Sequence, residues 1–208
     1  MKAVLFDWDG VLIDSANMYY QLYCQLAQKF SKVLPIHNID EFREWYDPAW
    51  ENNYLAMGFT REDLPAIADF IHQGVDYAPL HLFPGVCSLL ASLHRDFRIA
   101  IVSTTPKEII SERLKSDSLQ GYIDYITGND GVSEKISKIS HTLQILGCRE
   151  AVMIGDTPLD IASGQANNLP TVGATYGWVC ADRVRQAHPT IAVDSSLHLE
   201  EAIRSLLK

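Results

Sequence analysis

Residues 3–15 read AVLFDWDGVLIDS, an apolar run that stops abruptly at Asp7. A short apolar run of this kind predicts a buried strand. Asp7 and Asp9 are separated by one residue where this strand ends, so both carboxylates can face the same side. Gly10 then permits the chain to turn sharply. The stretch therefore predicts a pair of carboxylates presented at a strand end, with Asp7 as candidate nucleophile and Asp9 as candidate acid–base.

Short apolar runs of strand character recur along the rest of the chain, at 99–102, 122–127, 151–154, 171–173 and 191–193. After residue 83, helix-like stretches separate these runs. Strands that alternate with helices predict a parallel sheet flanked by helices, which is a doubly wound α/β core.

Two helices are expected to begin immediately after strands. Residues 105–108 (TPKE) have the pattern of an N-cap threonine, a proline at the first helical position and a capping-box glutamate. Residues 157–160 (TPLD) repeat the pattern with Asp160. Such strand-to-helix turns present backbone N–H groups and the positive helix end, which together favour an anion.

The alternation stops between Ser15 and Pro84, where a helix-favouring stretch contains aromatic residues at roughly helical spacing. This pattern predicts an insertion that is all-helical and packs its aromatic side chains in a small core of its own. The expected organisation is a core of residues 1–15 and 84–208, with the helical insertion over 16–83.

A second strand end carries carboxylates. Asp156 follows the apolar run 151–154, and Asp160 lies one helical turn beyond it. In a parallel sheet, Asp7 and Asp156 both lie at carboxyl ends of strands, where open α/β sheets bind ligands. Two like charges ~4 Å apart cost about 4 kcal/mol at an effective dielectric constant near 20. The converging carboxylates therefore require a cation.

Mg²⁺ is the cation that this set of side chains favours. The candidate ligands offer only oxygen, with no His or Cys at metal-ligand spacing, which indicates a hard ion. We expect Asp7, Asp156 and Asp160 to form the metal site, with Asp9 contributing its backbone carbonyl. The Asp9 carboxyl then stays available for proton transfer.

Further residues are candidates for binding a phosphate group. Ser103 follows the run 99–102 and offers a hydroxyl and neighbouring N–H groups, with Thr104 beside it. A lysine should balance the remaining negative charge, and Lys135 is the first candidate, with Lys138 as the alternative. In the insertion, Arg43 is a candidate contact for an anionic or polar part of a substrate.

Composition excludes some classes of partner. The formal net charge of -9 argues against a nucleic-acid partner, because phosphate backbones recruit clustered Lys and Arg. No apolar segment is long enough for a membrane span. The widely spaced cysteines suit a reducing compartment. We therefore expect a cytoplasmic protein that binds neither nucleic acid nor membrane, and the sequence gives no indication of its oligomeric state.

The four motifs together resemble those of the haloacid dehalogenase superfamily, and specifically of its phosphoglycolate phosphatase-like group. The matching residues are Asp7, Asp9, Gly10, Val11, Asp14 and Ser15, then Ser103, then Lys135, then Gly155, Asp156 and Asp160. The resemblance implies a Rossmann-like core with a helical cap inserted after the first motif. It also implies Mg²⁺-dependent hydrolysis of a small phosphorylated metabolite through an aspartyl-phosphate on Asp7.

Three other functions compete with this expectation. A sugar phosphomutase of the same superfamily has the same four motifs, so the core does not distinguish it. A carbon–halogen hydrolase is disfavoured by Asp9, because dehalogenases of the family lack that second aspartate. A non-catalytic binding or regulatory protein on the same fold is disfavoured by the completeness of the motifs.

Overall fold

Six parallel strands form the sheet of the computed structural model, which describes residues 1–129 and 134–208. They are β1 (Lys2–Phe6), β2 (Arg98–Val102), β3 (Tyr125–Thr127), β4 (Glu150–Gly155), β5 (Thr171–Ala174) and β6 (Ile191–Val193). Their order in the sheet is β3-β2-β1-β4-β5-β6. The predicted parallel α/β sheet is confirmed.

The described residues also form the α-helices α1 (Ala16–Lys29), α2 (Ile39–Trp45), α3 (Glu51–Ala56), α4 (Leu64–Gly74), α5 (Val86–Leu93), α6 (Lys107–Ser116), α7 (Lys135–Leu146), α8 (Pro158–Ala166), α9 (Ala181–Gln186) and α10 (Leu199–Leu206). Short 3-10 helices cover Arg61–Asp63, Gln120–Tyr122 and Ser196–His198. In the part of the chain that the structure describes, no helix has both the length and the apolar character that crossing a bilayer requires.

The central strands are buried on both faces of the sheet. On one face, Leu5 and Met153 belong to the same apolar cluster as Ile139 of α7. On the other face, Val4 and Phe6 are equally inaccessible to solvent. A parallel sheet covered on both sides explains why these strands are continuous apolar runs rather than alternating patterns.

The order of the strands places a crevice beside β1. From β1 the chain adds β2 and β3 on one side and then returns to add β4, β5 and β6 on the other. Asp7 follows β1 and Asp156 follows β4, and the two strands are neighbours, with Phe6 paired to Ile154. Ligands of open α/β sheets bind at such a point of reversal, outside the carboxyl ends of the strands.

The chain divides into two compact units, of which one comprises Met1–Asp14 with His81–Lys208 and the other comprises Ser15–Leu80. Residues 81–83 fall in the first unit because they pair with its N-terminal segment. The Asp14 amide donates to His81 O at 3.0 Å. Ile13 and Leu82 form an antiparallel bridge. This division differs by a few residues from the expected one at 84, where Pro84 and Gly85 precede α5.

The second unit contains α1 to α4, and its described residues, 15–80, include no strand. Its aromatic side chains pack with one another, as the sequence predicts. Tyr23 stacks on Tyr54 with ring centroids 5.2 Å apart, and Phe42 packs 5.5 Å from Tyr23. All three side chains are buried in one apolar cluster. The role of this unit as a cap stays a prediction.

Two local predictions were wrong. The expected strand 122–127 begins only at Tyr125, because the preceding Asp124 binds Ile99 of β2 partly through its side chain. Its carboxylate accepts the Ile99 N–H at 2.8 Å and its amide donates to Ile99 O at 2.8 Å. Thr105 does not cap α6 through its side chain. The helix begins only at Lys107, and the Thr105 hydroxyl donates to the Asp9 carboxylate.

Candidate active site

Asp7 is the first residue after β1, and its backbone continues the strand pairing. The Asp7 amide donates to Ile154 O at 2.9 Å, which fixes the backbone against β4. One side-chain oxygen, Oδ1, accepts the Trp8 N–H at 2.8 Å. The other, Oδ2, lies 2.8 Å from Nζ of Lys135. The carboxylate is therefore held in one orientation at the sheet edge.

Asp156 is the first residue after β4 and lies in a cradle of glycines. Its Oδ2 accepts the Trp178 N–H at 2.5 Å. A Cβ on Gly177 would lie 2.4 Å from Oδ2 of Asp156, and a Cβ on Gly10 would lie 2.1 Å from the same atom. Gly10 also has a φ of +74°, in the left-handed region. Glycine is therefore required at both positions.

Asp160 completes the capping box that the sequence predicts at the start of α8. Its Oδ2 accepts the Thr157 N–H at 3.0 Å and the Thr157 hydroxyl at 2.7 Å. Its Oδ1 accepts from Lys135. A Cβ on Gly155 would overlap Cβ of Asp160 at 2.0 Å, so glycine at 155 allows Asp160 to approach.

Three carboxylates converge at this edge. Among residues 1–129 and 134–208, Asp7, Asp156 and Asp160 form the cluster able to hold a metal ion, with ligand oxygens within 4.8 Å of one another. Lys135 contacts two of the three. An all-oxygen donor set in a nearly buried position fits a hard divalent cation.

Burial and crowding perturb the ionisation of this cluster. Burial raises the pKa of Asp7 to about 7, with Lys135 opposing and Asp160 adding to the shift. Burial likewise raises the pKa of Asp156 well above its ordinary value, and the charges of Asp160 and Asp7 raise it further. For Lys135, burial would lower the pKa, but the neighbouring carboxylates raise it. Fully ionised, the three carboxylates would carry more negative charge than Lys135 alone compensates, so the metal-free cluster favours protonation of Asp7 and Asp156.

The two candidate lysines have different partners. Lys135, at the start of α7, reaches Asp7 and Asp160. Lys138, one turn later and also buried, donates to the Gly128 carbonyl at 2.8 Å and the Ser103 carbonyl at 3.2 Å. This geometry favours Lys135 as the lysine of the charged site and places Lys138 between two loops at the same sheet edge.

Ser103 follows β2, as predicted, and is buried beside the cluster's edge of the sheet. Its amide continues the pairing by donating to Thr127 O at 2.9 Å. Its Oγ accepts the Thr105 N–H at 3.0 Å, so the hydroxyl hydrogen can still be donated to an anion. Thr104 is exposed between these two residues. The assignment of Ser103 and Thr104 to substrate binding stays a prediction.

Asp9 is half-buried, two residues beyond Asp7. Its Oδ2 accepts a hydrogen bond from the Thr105 hydroxyl at 2.5 Å. The contribution of its backbone carbonyl to a metal site stays a prediction.

Arg43 lies on α2 in the second unit. Its Nε is buried and makes no hydrogen bond to any residue that the structure describes. Its predicted contact with a substrate is not tested by the structure.

Sequence reasoning missed three contributors to the site, namely Thr105, Gly177 and Trp178. The stretch TYGW at 175–178 directly follows β5. The rule that strand ends carry ligand-binding residues applies to β5 as well as to β1 and β4, so this rule was a usable signal. For Thr105, the local sequence predicts a cap of the following helix, whereas its hydroxyl binds Asp9.

Comparison with known proteins gives relatives of similar length. A phosphoglycolate phosphatase of Aquifex aeolicus is 29% identical over 198 residues, covering 86% of this chain and 87% of the relative. A phosphoglycolate phosphatase of Photorhabdus laumondii is 27% identical over 205 residues, covering 91% and 86%.

Solved structures share the fold. A predicted phosphatase from Clostridium acetobutylicum superposes with a TM-score of 0.85 at 24% identity, covering 99% of both chains. A haloacid dehalogenase-like family protein from Streptococcus pneumoniae gives a TM-score of 0.84 at 18% identity, covering 96% of this chain and 97% of that one. The Rossmann-like fold is thereby confirmed.

The sequence pattern of the family described as haloacid dehalogenase-like hydrolase matches residues 4–174, which include every strand end of the carboxylate cluster. The resemblance seen in the motifs is confirmed, and the chain belongs to the haloacid dehalogenase-like hydrolase family.

Proposed function

We propose that this protein hydrolyses a small phosphomonoester, with Asp7 as the nucleophile and Mg²⁺ as the cofactor. The observation that carries the proposal is the position of Asp7. Its carboxylate lies at the point of strand reversal, held by the Trp8 amide and Lys135, in a cluster with Asp156 and Asp160.

In the first step, a carboxylate oxygen of Asp7 attacks phosphorus while the bond from phosphorus to the leaving oxygen breaks. The Asp9 carboxyl supplies the proton that the leaving oxygen needs. The products of this step are an alcohol and an aspartyl-phosphate on Asp7.

In the second step, the ionised Asp9 carboxylate removes a proton from a water molecule as that water attacks phosphorus. The bond between phosphorus and the Asp7 oxygen breaks, which releases inorganic phosphate and restores the Asp7 carboxylate. Asp9 regains its proton, so the cycle closes.

Asp7 and Asp156 are the proposed side-chain ligands of Mg²⁺, with the Asp9 carbonyl as a further ligand. Bound Mg²⁺ would supply charge neutralisation between the carboxylates and an anionic substrate. Asp160 belongs to the same cluster, and because its Oδ2 is held by Thr157 and its Oδ1 accepts from Lys135, its proposed role is to position Lys135 beside the ligands.

Lys135 and Ser103 are the proposed contacts for the phosphoryl oxygens. The Lys135 ammonium is close to Asp7 and carries positive charge at the point where negative charge increases during attack. The Ser103 hydroxyl is a donor of the kind that phosphate groups bind.

A small phosphorylated metabolite is the proposed substrate. Phosphoglycolate is the first to test, because the curated relatives are named phosphoglycolate phosphatase.

The experiment is a screen of phosphorylated metabolites with purified protein and Mg²⁺, ranked by kcat/KM and scored for free phosphate. Asp7→Asn should abolish turnover, because an amide is a poor nucleophile towards phosphorus. Asp182→Asn is the matched control, since this carboxylate is largely exposed and lies 3.4 Å from Arg185. Isomerised sugar phosphate without phosphate release would instead indicate a phosphomutase.

The covalent intermediate has its own test. Asp9→Asn keeps the nucleophile but removes proton transfer, an effect typically of about 10²- to 10⁴-fold in rate. With an activated aryl phosphate, whose leaving oxygen hardly needs a proton, phosphate should accumulate on the Asp7 peptide in rapid-quench mass spectrometry. Phosphate on another residue would refute the mechanism.

A further inference from the structure

The Thr105 hydroxyl and the Asp9 carboxylate form a contact that the two-step mechanism above does not use. The distance between Thr105 Oγ1 and Asp9 Oδ2 is 2.5 Å. A hydroxyl donates one hydrogen and an ionised carboxylate only accepts, so Thr105 is the donor. Thr105 is buried at 3% exposure, whereas its neighbour Thr104 is exposed.

The backbone around Thr105 is fixed by contacts on both sides. Its amide donates to Ser103 Oγ at 3.0 Å, and its carbonyl accepts the Asn129 N–H at 3.0 Å. Lys138 joins the same two loops, because its ammonium binds the carbonyls of Ser103 and Gly128. The threonine therefore projects from a rigid support.

Close packing reinforces this support. A Cβ on Gly128 would lie 2.4 Å from the Lys107 amide nitrogen and 2.8 Å from the Thr105 carbonyl oxygen. The chain after β3 thus lies directly against the chain after β2. Because Thr105 is β-branched, its own χ1 has few accessible values, which limits the directions that its hydroxyl can take.

We propose that Thr105 is a positioning residue that orients the Asp9 carboxyl for proton transfer. This inference rests on the proposed function. A general acid must lie about 2.6–3.2 Å from the atom that receives its proton, so a freely rotating carboxyl loses rate. The Thr105 hydrogen bond holds Oδ2 of Asp9 and thereby fixes the orientation of the carboxyl group that exchanges a proton with the leaving oxygen and later with water.

The test compares Thr105→Val, which has nearly the same shape without the hydroxyl, with Thr105→Ser, which keeps the hydroxyl. A hydrogen bond to a charged group is lost in the valine variant, so kcat should fall about 10- to 100-fold. The serine variant should recover most of the rate. Thr105→Ala is a second variant without the hydroxyl and should be as slow as valine.

A double-mutant cycle distinguishes positioning from a general structural role. If Thr105 acts through Asp9, Thr105→Val should cost less than about twofold in the Asp9→Asn background. With an activated aryl phosphate, Thr105→Val should also accumulate phosphate on Asp7, because the second step needs Asp9 as a base. Loss of packing alone would slow both steps without this accumulation.

Thr171→Val is the matched control for the loss of a buried threonine hydroxyl. Thr171 is fully buried at the amino end of β5, and its hydroxyl accepts the Thr190 N–H at 3.2 Å. It should lose stability without accumulating phospho-enzyme.

Two outcomes separate this inference from the proposed function. The positioning role alone is overturned if the wild type releases phosphate and Thr105→Val is equally active. It is also overturned if Thr105→Val lowers kcat by the same factor in the wild-type and Asp9→Asn backgrounds. A wild-type protein that releases no phosphate from any phosphomonoester overturns the proposed function and this inference with it.

Discussion

Nζ of Lys135 lies 2.8 Å from Oδ2 of Asp7 and also contacts Asp160. A single ammonium thus compensates two carboxylates that follow different strands, and Asp156 adds a third carboxylate to the same cluster. All of these groups are buried or nearly so. Uncompensated charge is costly at such a position, so removal of any member should affect both stability and reactivity.

Replacement of Lys135 tests this balance. Lys135→Met leaves buried carboxylates without their partner, which typically costs about 3–5 kcal/mol in unfolding free energy. The loss should be larger at pH 8 than at pH 5, because protonation of the carboxylates relieves it. Turnover should fall about 10²- to 10³-fold. Urea unfolding at both pH values and phosphate release give the two measurements.

Lys138→Met is the comparison for that variant. Lys138 donates to the carbonyls of Ser103 and Gly128 instead of contacting Asp7 and Asp160, so the two variants are compared by their loss of turnover. A Lys138→Met variant that loses more turnover than Lys135→Met would reverse the assignment of the two lysines.

The metal-free protein should lose stability as pH rises. Burial raises the pKa of Asp7 from 3.8 to about 7, so the folded state favours the protonated carboxyl. This contribution is fully present below about pH 3.8 and is lost as pH rises through about 7, to a total of about 4 kcal/mol. Asp7→Asn lacks it. In EDTA, the unfolding free energy of the wild type relative to Asp7→Asn should therefore fall between pH 4 and pH 8, and parallel curves would contradict the raised pKa.

Mg²⁺ should reverse this dependence on pH. A cation binds the ionised carboxylates, so its affinity should rise as pH passes through about 7, the pKa of Asp7. Excess Mg²⁺ should raise the melting temperature at pH 8 more than at pH 5.

Asp156→Ala should sharply weaken Mg²⁺ binding in calorimetry while the fold is kept. Unchanged affinity in that folded variant would remove Asp156 from the ligands.

The glycine cradle provides a test without a change of charge. A Cβ at Gly177 would lie 2.4 Å from Asp156 Oδ2, so Gly177→Ala should displace that carboxylate and weaken Mg²⁺ binding at least about tenfold. Gly121→Ala is the matched control, because a Cβ there meets no atom within 4 Å. Equal Mg²⁺ affinities in isothermal titration would show that Asp156 adapts without cost.

Much of the fold could be predicted from the sequence because its strands are short apolar runs that end in polar residues. Asp7 and Ser103 come directly after such a run and Asp156 comes one residue beyond one, and each lies directly after a strand in the structure. The capping box of Thr157 and Asp160 was also predictable, since its two partners are three residues apart.

Other parts of the site depend on contacts that no local pattern contains. Lys135 and Lys138 lie on the same face of α7, one turn apart, so the sequence does not distinguish them. Their different partners depend on how the sheet places the chain segments after β1, β2, β3 and β4 next to one another. Thr105 has the local pattern of a helix cap, but Asp9, almost a hundred residues earlier, is the partner that its hydroxyl binds.

The pairing of β1 with β4 has a consequence for synthesis of the chain on the ribosome. Ile154 follows its partner Phe6 by about 150 residues, which takes roughly 7 to 30 s at typical rates of translation. During that interval the apolar β1 has no β4 to cover its edge, and Asp7 has neither Lys135 nor Asp156 beside it. The nascent chain therefore lacks a complete carboxylate cluster until its last quarter is synthesised, and chaperones have that same interval in which to bind the exposed strand.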